Sequence, residues 1–275
     1  MAEETGGRAQ GKLEEEGFID WSALTSIQFA GTQMVIILVI AVAVLAGWQI
    51  AVRAFHVPTY VLPAPSEIGK ALVNNMPTLL PHLMVTLKDL LTGYFIGATI
   101  GIVLAAFVTQ LPFLEKIITP YILILVTTPM MALVPLLILK FGFGATPRII
   151  AVCLSVGPMV MINSATGFRR TDSAKLALAR SYGASTFQIF SKVRFPLALP
   201  MIVTGLMVGG IFGLMTAIGA EMVGGGEGLG NRLVYYSSLA RMDSFFSVMV
   251  LVAVLGISLY VLFYFIGKKW ASWEA

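Results

Sequence analysis

The stretch "MVIILVIAVAVLAGWQIAVRAF", residues 34–55, contains a single charged side chain, Arg53. A helix needs about 20 consecutive, predominantly apolar residues to cross the hydrocarbon core of a bilayer. The length and composition of this stretch therefore predict a transmembrane helix. The composition of the whole chain agrees, because only 12% of its 275 residues are charged, whereas soluble domains have about 25%.

Further apolar runs of spanning length recur along the chain. They are 90–108, 147–168, 200–223 and 245–267, and a sixth run covers 117–141. The sixth run differs from the others because Pro120, Pro129 and Pro135 interrupt it. Proline frees backbone carbonyls, which are tolerated at membrane depth where they face protein or water instead of lipid. The pattern predicts an all-α polytopic membrane protein with six transmembrane helices, the third of them in the interior.

Lysine and arginine are concentrated in the connection between the fourth and fifth predicted spans. That connection contains Arg169, Arg170, Lys175, Arg180, Lys192 and Arg194. Short loops rich in these residues stay on the cytoplasmic side, so this loop and both termini are predicted to be cytoplasmic. Nucleic acid is not expected as a partner, because the net charge of +4 comes from cations dispersed over short loops.

Three regions follow from these runs. Residues 1–33 form an acidic N-terminal segment that is partly disordered by composition, and its last part is either unstructured or an interfacial helix. Residues 34–267 form the transmembrane domain, with a cytoplasmic loop at 169–199, and residues 268–275 form a cytoplasmic tail. On the other side of the membrane, Ser66 predicts the N-cap of a short helix ahead of the second span.

The cytoplasmic loop continues into "ALARSYGASTFQIFSKVRFPLALP", residues 177–200. Asp172 or Ser173 is the predicted N-cap of a first short helix, which runs to Tyr182 and breaks at Gly183. The loop is thus expected to consist of two short helices that meet at a glycine.

The second short helix is predicted over 186–193, ahead of Pro196. The apolar side chains of the two helices are too many for a loop that is only solvated. They are Leu176, Ala177, Ala179, Tyr182, Phe187 and Phe190. Either this loop packs against its own membrane domain or anchors at the interface, or a separate protein covers it.

The spacing of this loop resembles a motif of ATP-binding cassette (ABC) importer permeases that is named after the sequence Glu-Ala-Ala. The matching positions are Gly183, Val193, Phe195 and Pro196. The chain departs from the motif in one respect, because Ala177, Leu178 and Ala179 stand where the family has Glu-Ala-Ala. The missing carboxylate removes one possible salt bridge to the ATPase. Lys175, Arg180 or Lys192 are candidates to supply polar contacts to the ATPase instead.

Three other stretches resemble the permeases of the nitrate, sulfonate and taurine importers. They are "VLPAPSEIGKAL" at 61–72, "TPMMALVPLLILKFGFG" at 128–144 and "AEMVGGGEGLGNRL" at 220–233. Together with the loop they extend the resemblance over roughly residues 60–267. It implies the fold of a type I ABC importer permease, in which the loop docks into a groove of a separate ATPase.

The resemblance also implies partners. The chain is expected to pair with a second permease, identical or not, and with two ATPase subunits and an extracytoplasmic binding protein in the cytoplasmic (inner) membrane of a bacterium. ATP and Mg would be bound by the ATPase, so this chain is expected to hold no cofactor or metal and to catalyse no reaction. The residues that carry the coupling role by resemblance are Ala177, Arg180, Tyr182, Gly183, Ala184, Ser185, Phe187, Val193 and Pro196.

The sequence agrees that ATP is handled elsewhere. The phosphate-binding pattern G-x-x-x-x-G-K-[ST] does not occur in it. The stretch "GGGEGLG", residues 224–230, follows no predicted strand and is interpreted as a turn. The single cysteine, Cys153, excludes an intrachain disulfide.

Polar and methionine side chains within the predicted spans are the candidates for a translocation pathway. They are Thr127, Thr128, Met131, Asn163, Ser164, Thr216 and Glu221. Glu221 stands out because a charge inside a span is costly and often functional, and the alternative is that it simply reaches the surface or caps nearby backbone. The fifth span also has a face of small residues that allows close helix packing, formed by Gly205, Gly209, Gly210, Gly213 and Gly219.

The imported solute is predicted to be a small anion, such as a sulfonate or nitrate. This prediction rests on the resemblance and on Lys140 and Arg148 at the outer mouth. The alternative function is an ion-coupled secondary transporter, which normally places ionisable groups near the bilayer midplane. A channel or a structural subunit would leave the apolar loop unexplained.

Overall fold

The computed structural model describes residues 31–270, and every regular element in that range is helical. The all-α class is confirmed. The helices are α1 (Gly31–Ala54), α2 (Pro65–Gln110), α3 (Pro112–Thr127), α4 (Met130–Phe141), α5 (Ala145–Arg169), α6 (Ser173–Ser181), α7 (Thr186–Ile189), α8 (Phe195–Gly224), α9 (Leu229–Ser238) and α10 (Met242–Trp270). The N-terminal segment up to residue 30 and the last five residues of the predicted tail lie outside the described residues.

The chain divides into two structural units, one that ends at Gly47 and one that begins at Trp48. The first unit contributes most of α1, which is long and apolar enough to span a membrane. The second unit contains all the sites discussed below.

Five helices within the described residues are long and apolar enough to span a membrane. The pair α3 and α4 reaches this length and composition only when the two helices are counted together. The two helices of this pair are bent by 98° at a short break, so the pair completes the six predicted spans when it counts as one. Only Pro129 breaks the helix, whereas Pro120 and Pro135 lie inside α3 and α4. The residue before Pro129 is extended (φ −79°, ψ 123°), because proline disfavours the helical conformation of its predecessor.

The prediction that this third span is interior is wrong for the single chain. Leu123, Leu136 and Leu139 are exposed, and only Val134 of α4 is fully buried, against Ala151 and Ala220. The proline pattern located the break correctly, but it carried no information about which face of α3 and α4 meets the rest of the chain.

The separate short helix predicted before the second span is also not observed. Ser66 lies in the first turn of α2, a helix of 46 residues that continues through Pro77 and Pro81 into the span. The residue that precedes the helix is Ala64, whose N–H donates to Glu67 Oε2 over 3.1 Å. The Ser66 hydroxyl instead accepts a hydrogen bond from Gln49 Nε2 over 3.1 Å.

The bundle is centred on α5, which lies between α2 and α8. On the α2 side, Gly93, Gly97 and Gly101 form a stripe along which the two backbones meet, because a Cβ built on Gly97 would lie 2.7 Å from the carbonyl oxygen of Cys153. On the α8 side, Gly205, Gly209 and Gly213 of the predicted small-residue face pack against α5, whereas Gly210 lies against Phe263 and Gly219 against Met131. A Cβ on Gly205 would lie 2.8 Å from Asn163 Cβ, and one on Gly213 would lie 2.9 Å from Val156 Cγ2.

The core follows from this close approach. It contains Leu90 and Tyr94 of α2, Val152, Val156 and Val160 of α5, and Leu214 of α8. Tyr94 also donates its hydroxyl hydrogen to the carbonyl oxygen of Leu206 over 3.0 Å, which ties α2 to α8.

Candidate functional site

The loop between α5 and α8 begins with a helix whose two ends are both capped. Asp172 is the N-cap of α6, and its Oδ1 accepts from the N–H of Ala174 over 2.8 Å. At the other end, Gly183 has a φ of +77°, and the N–H groups of Gly183 and Ala184 donate to the carbonyls of Arg180 and Ala179. This pair of bonds is the Schellman arrangement that ends a helix. The predicted helix and its break at Gly183 are confirmed.

The second half of the loop is helical but differs from the prediction. Ser185 and Gln188 form a reciprocal capping box, in which the Gln188 N–H donates to Ser185 Oγ (3.3 Å) and the Ser185 N–H donates to Gln188 Oε1 (2.8 Å). The helix α7 then passes through a π turn, Phe190–Arg194, directly into α8.

The predicted end of this second helix before Pro196 is therefore wrong. The Phe195 N–H donates to the carbonyl of Phe190 across the wider π turn, and Pro196 lies in the first turn of α8. Because the helix is continuous here, Pro196 lies inside it and leaves one carbonyl of the preceding turn without its helical partner. The wider π turn lies directly before this proline, and the helix continues through both.

Three apolar side chains of the loop are solvent-exposed in this chain, and we call them the crest: Leu178, Tyr182 and Phe187. Tyr182 is 84% exposed and Phe187 is 77% exposed. No residue of α6 is buried. Because large apolar side chains at this exposure are unfavourable in water, the crest has the character of a surface that another molecule covers.

The loop is nevertheless attached to the bundle beneath the crest. Ile189 is buried, and the ring of Phe190 lies 5.1 Å from that of Phe168 at the end of α5. Arg169 and Glu115 form an exposed ion pair at 2.7 Å that joins the end of α5 to α3. The alternative that the loop packs against its own membrane domain thus applies to Ile189 and Phe190, and not to the crest.

The other loop residues named from the sequence lie around the crest. Ala177, Arg180, Gly183 and Ser185 are exposed, whereas Ala184, Val193 and Pro196 are half-buried. The residues named from the sequence thus differ in exposure, and Tyr182 and Phe187 are the most exposed apolar side chains among them.

The candidate pathway residues on α3 and α4 bond to backbone or pack against a neighbouring helix. The hydroxyls of Thr127 and Thr128 donate to carbonyls of their own helix, those of Leu123 and Ile124. Met131 packs against Gly219, since a Cβ there would lie 2.8 Å from Met131 Cγ.

The remaining polar candidates on α5 and α8 lie within the helix packing. Thr216 donates to Ser155 Oγ over 2.9 Å in a buried contact between the two helices. The Asn163 amide donates to the carbonyl of Met159, and Ser164 is fully buried. A pathway along these residues stays a prediction.

Glu221 is completely buried and not at an open mouth. Its Oε2 accepts from the N–H of Gly230 over 2.8 Å. Glu221 therefore caps nearby backbone and does not reach the surface.

The basic residues expected at the outer mouth differ from each other. Arg148 is buried and donates from Nε to Asp89 Oδ2 over 2.6 Å. The expectation that Arg148 is available to an anion is therefore wrong, because Asp89 on α2 already neutralises it. Lys140 is exposed, and its Nζ lies 5.5 Å from the centre of the Phe141 ring.

The sequence did not reveal the ion pair of Arg148 with Asp89 or the hydrogen bond of Thr216 with Ser155, because the partners are 59 and 61 residues apart along the chain. The stripe of Gly93, Gly97 and Gly101 was readable as a four-residue period but was not recognised. The capping box at Ser185 and Gln188 was readable as well, from the pattern Ser-x-x-Gln.

A family model described as "Binding-protein-dependent transport system inner membrane component" matches residues 93–272, which include the loop and its crest. The chain belongs to this family. It is a permease subunit of an ABC importer, which confirms the resemblance read from the sequence and removes the secondary-transporter alternative. Such permeases are translocation components and not enzymes, and they pair with ATPase subunits and a binding protein.

Curated relatives cover most of the permease. A probable ABC transporter permease protein of Haemophilus influenzae is 28% identical over 81% of this chain and 91% of its own length. The putative aliphatic sulfonates transport permease SsuC of Escherichia coli is 29% identical over 85% of this chain and 89% of its own length. The riboflavin transport permease RibX of Chloroflexus aurantiacus is 27% identical, with coverages of 84% and 87%.

A solved structure supports the fold. The permease is similar to a chain of the MetNI methionine ABC transporter in an inward-facing conformation, with a TM-score of 0.64 and 20% identity over 70% of this chain and 96% of that chain. The type I ABC importer permease fold is thereby confirmed.

Proposed function

We propose that the crest is the docking surface for the ATPase subunit of the importer, and that the permease works as a pair with two such ATPases and an extracytoplasmic binding protein. In this arrangement ATP and Mg are bound by the ATPase and not by this chain. Within the described residues there is no group of three or more His, Cys, Asp or Glu side chains that could hold a metal ion.

The observation that carries the proposal is the exposure of the crest on a rigid support. The first short helix is capped at both ends, and the second is capped at its start and continues into α8, so the backbone that carries Tyr182 and Phe187 is ordered although nothing in the described chain covers these side chains. Aromatic side chains of this kind are enriched among the residues that dominate binding energy at interfaces. A partner that buries them gains this energy without having to order the loop first.

The orientation belongs to the same proposal. Basic residues surround the crest and are exposed, among them Arg169, Arg170, Lys175, Arg180 and Lys192. The positive-inside rule then assigns the loop to the cytoplasm, where ATP is available. We accordingly propose that the permease lies in the cytoplasmic (inner) membrane of a bacterium, with the domain limits given above and both termini inside.

The connection to the spans supports coupling. Because α7 continues through the π turn into α8, a displacement of the docked crest is passed to α8 without a flexible linker. Closure of the ATPase pair on ATP would thus reposition α8 against α5, and hydrolysis would reverse the movement.

The experiment compares two exposed phenylalanines at opposite ends of the bundle. Phe187→Ala is expected to weaken association of the ATPase about thirtyfold, the factor for an aromatic contact of about 2 kcal/mol at an interface. Phe143→Ala is the matched control, since Phe143 is 80% exposed but lies between α4 and α5. Affinity purification of the permease, with quantification of the bound ATPase, measures both variants. Equal ATPase retention by wild type and Phe187→Ala would refute docking at the crest.

We further propose that the solute is a small anion, preferably an organic sulfonate. The support is that relatives named for taurine or aliphatic sulfonates recur, at 28%, 29% and 28% identity, whereas a riboflavin permease is 27% identical. Uptake of labelled taurine, nitrate and riboflavin by cells that carry the complete importer tests this choice. Uptake of riboflavin alone would refute the anion proposal and leave the docking proposal standing.

A further inference from the structure

The turn between α8 and α9 directs a helix terminus back into the bundle. Gly225, Gly226 and Gly228 have φ angles of +65°, +82° and +99°, which glycine adopts without the steric cost that a side chain would incur. The turn places the first residues of α9 in the core, where Leu229 is fully buried.

Three consecutive backbone N–H groups at the start of α9 are bound by side chains of two spanning helices. The Gly228 N–H donates to His82 Nδ1 (3.1 Å), the Leu229 N–H to Thr86 Oγ1 (2.9 Å) and the Gly230 N–H to Glu221 Oε2 (2.8 Å). A helix start leaves about four N–H groups without a partner within the helix. Here the partners come from α2 and α8 and not from the turn itself.

The two acceptors on α2, His82 and Thr86, are positioned to bind the backbone at the start of α9. His82 and Thr86 are one helical turn apart, so they lie on the same face. The Thr86 hydroxyl donates its own hydrogen to the carbonyl of His82 over 3.1 Å, which leaves its lone pairs free to accept from Leu229. Thr86 is fully buried, so the loss of this bond would leave a buried N–H without a partner.

The acceptor on α8 fits equally closely. The Glu221 carboxylate occupies the space where a side chain on Gly228 would begin, and a Cβ on Gly230 would overlap the carbonyl of Ile218. Only glycine at these two positions allows the start of α9 to reach both helices.

We propose that this arrangement, which we call the outer latch, makes His82, Thr86 and Glu221 positioning residues of transport. The latch joins α2 to α8 through the backbone of α9. Any conformation in which the outer ends of α2 and α8 separate has to release α9 from one of them. The latch thus stabilises the conformation in which these ends are together, and its release accompanies opening of the pathway on that side.

This inference rests on the proposed function, because the opening that releases the latch is driven by the docked ATPase. The test uses the complete transporter in proteoliposomes, with Cys153→Ala and Leu229→Cys as the reporter. Leu229 is fully buried in the latch, so its labelling by a sulfonated, membrane-impermeant maleimide reports release. Glu227→Cys, at an exposed position of the same turn, is the control for access of the reagent.

The expected result is slow labelling of position 229 without nucleotide and faster labelling after trapping with ATP and vanadate. Thr86→Val should raise the labelling rate without nucleotide about fivefold to tenfold, the factor expected for the loss of one hydrogen bond. Glu221→Leu should do the same, whereas Glu221→Gln, which keeps an acceptor, should restore slow labelling. Thr92→Val is the matched control, because the Thr92 hydroxyl bonds to its own helix at Lys88.

Two results would overturn the latch. One is labelling of position 229 that is independent of ATP and vanadate while the ATPase is bound and active. The other is a wild-type labelling rate in His82→Phe, the variant at the most exposed of the three positions and hence the least disruptive to folding. Loss of the ATPase from the wild-type preparation would instead count against the docking proposal, so the two failures are distinguishable.

Discussion

The crest and the outer latch lie on the two connections that flank α8, and both connections depend on glycine with a positive φ. At Gly183 (φ +77°) a Cβ would meet nothing within 4 Å, whereas at Gly228 (φ +99°) it would meet the carboxylate of Glu221. The first glycine shapes a surface, and the second allows backbone to enter the core. One connection thus exposes apolar groups, the proposed docking surface, and the other uses polar groups inward to join helices of the same chain.

The largest effect is expected at the buried ion pair between Asp89 and Arg148. Asp89 lies about one helical turn after Thr86 of the latch on α2. Asp89→Ala should lower the free energy of unfolding by about 3–5 kcal/mol, because it leaves Arg148 buried without its partner. Thermal unfolding of the purified permease in detergent measures the loss. The control is the double variant Asp89→Leu with Arg148→Met, which should recover most of it. A double variant as unstable as the single one would show that the ion pair is not the cause.

Gly228→Ala should have the next largest effect. The added methyl overlaps the Glu221 carboxylate, which costs about 1–3 kcal/mol. The backbone at φ 99° and ψ 165° lies in a region almost restricted to glycine and adds at least about 1 kcal/mol. The same thermal unfolding experiment detects the change. A variant with wild-type stability would mean that the turn can move away from Glu221, and that the latch is looser than described.

Gly183→Ala separates the two causes, because it adds a methyl group at a positive φ without overlapping any neighbouring atom. It should cost about 1 kcal/mol of stability through the positive φ alone, and it should also reduce ATPase association. Gly142→Ala is the control at a distant turn, since Gly142 also has a φ of +77° and an open surrounding. Its ψ of 179° lies in a region almost restricted to glycine, so Gly142→Ala should be at least as destabilising as Gly183→Ala but should leave the bound ATPase unchanged. Equal ATPase retention would contradict the role of Gly183 in docking.

The smallest effect is expected at the exposed ion pair beneath the crest. Glu115→Ala should change stability by less than about 1 kcal/mol, because exposed pairs of this kind contribute little. Thermal unfolding at low and high salt measures the change, and the small difference should vanish at high salt. A loss as large as that of Asp89→Ala would show that exposure does not distinguish the two pairs.

Sequence alone located the features that depend on neighbouring residues. The spans follow from local length and composition, as in residues 34–55, and the bounds of α6 follow from Asp172 and Gly183, which act on the backbone next to them. Two of the three crest residues, Tyr182 and Phe187, were predicted for the same reason, whereas Leu178 was not among the apolar loop residues named from the sequence. The crest residues are apolar in a segment that cannot be a span.

What sequence could not reveal depends on distant contacts or on continuity of the backbone. The pairing of Arg148 with Asp89 joins α5 to α2, and Thr86 meets Leu229 across 143 residues. Proline positions did not predict the helix ends reliably. A helix ends at Pro129, but the helices continue through Pro77, Pro81 and Pro200, where the surrounding packing maintains them.

The uninterrupted helix from Thr186 to Gly224 has a mechanical consequence. Its 39 residues form a rod about 58 Å long at 1.5 Å per residue. The crest adjoins one end and the latch the other, and the glycine contacts with α5 lie near the middle. A tilt of about 10° around such a pivot displaces each end by roughly 5 Å, in opposite directions, given that length. If the crest docks on the ATPase as proposed, inward motion there would be converted into outward motion at the opposite face by this one continuous helix, without a chain of side-chain rearrangements between them.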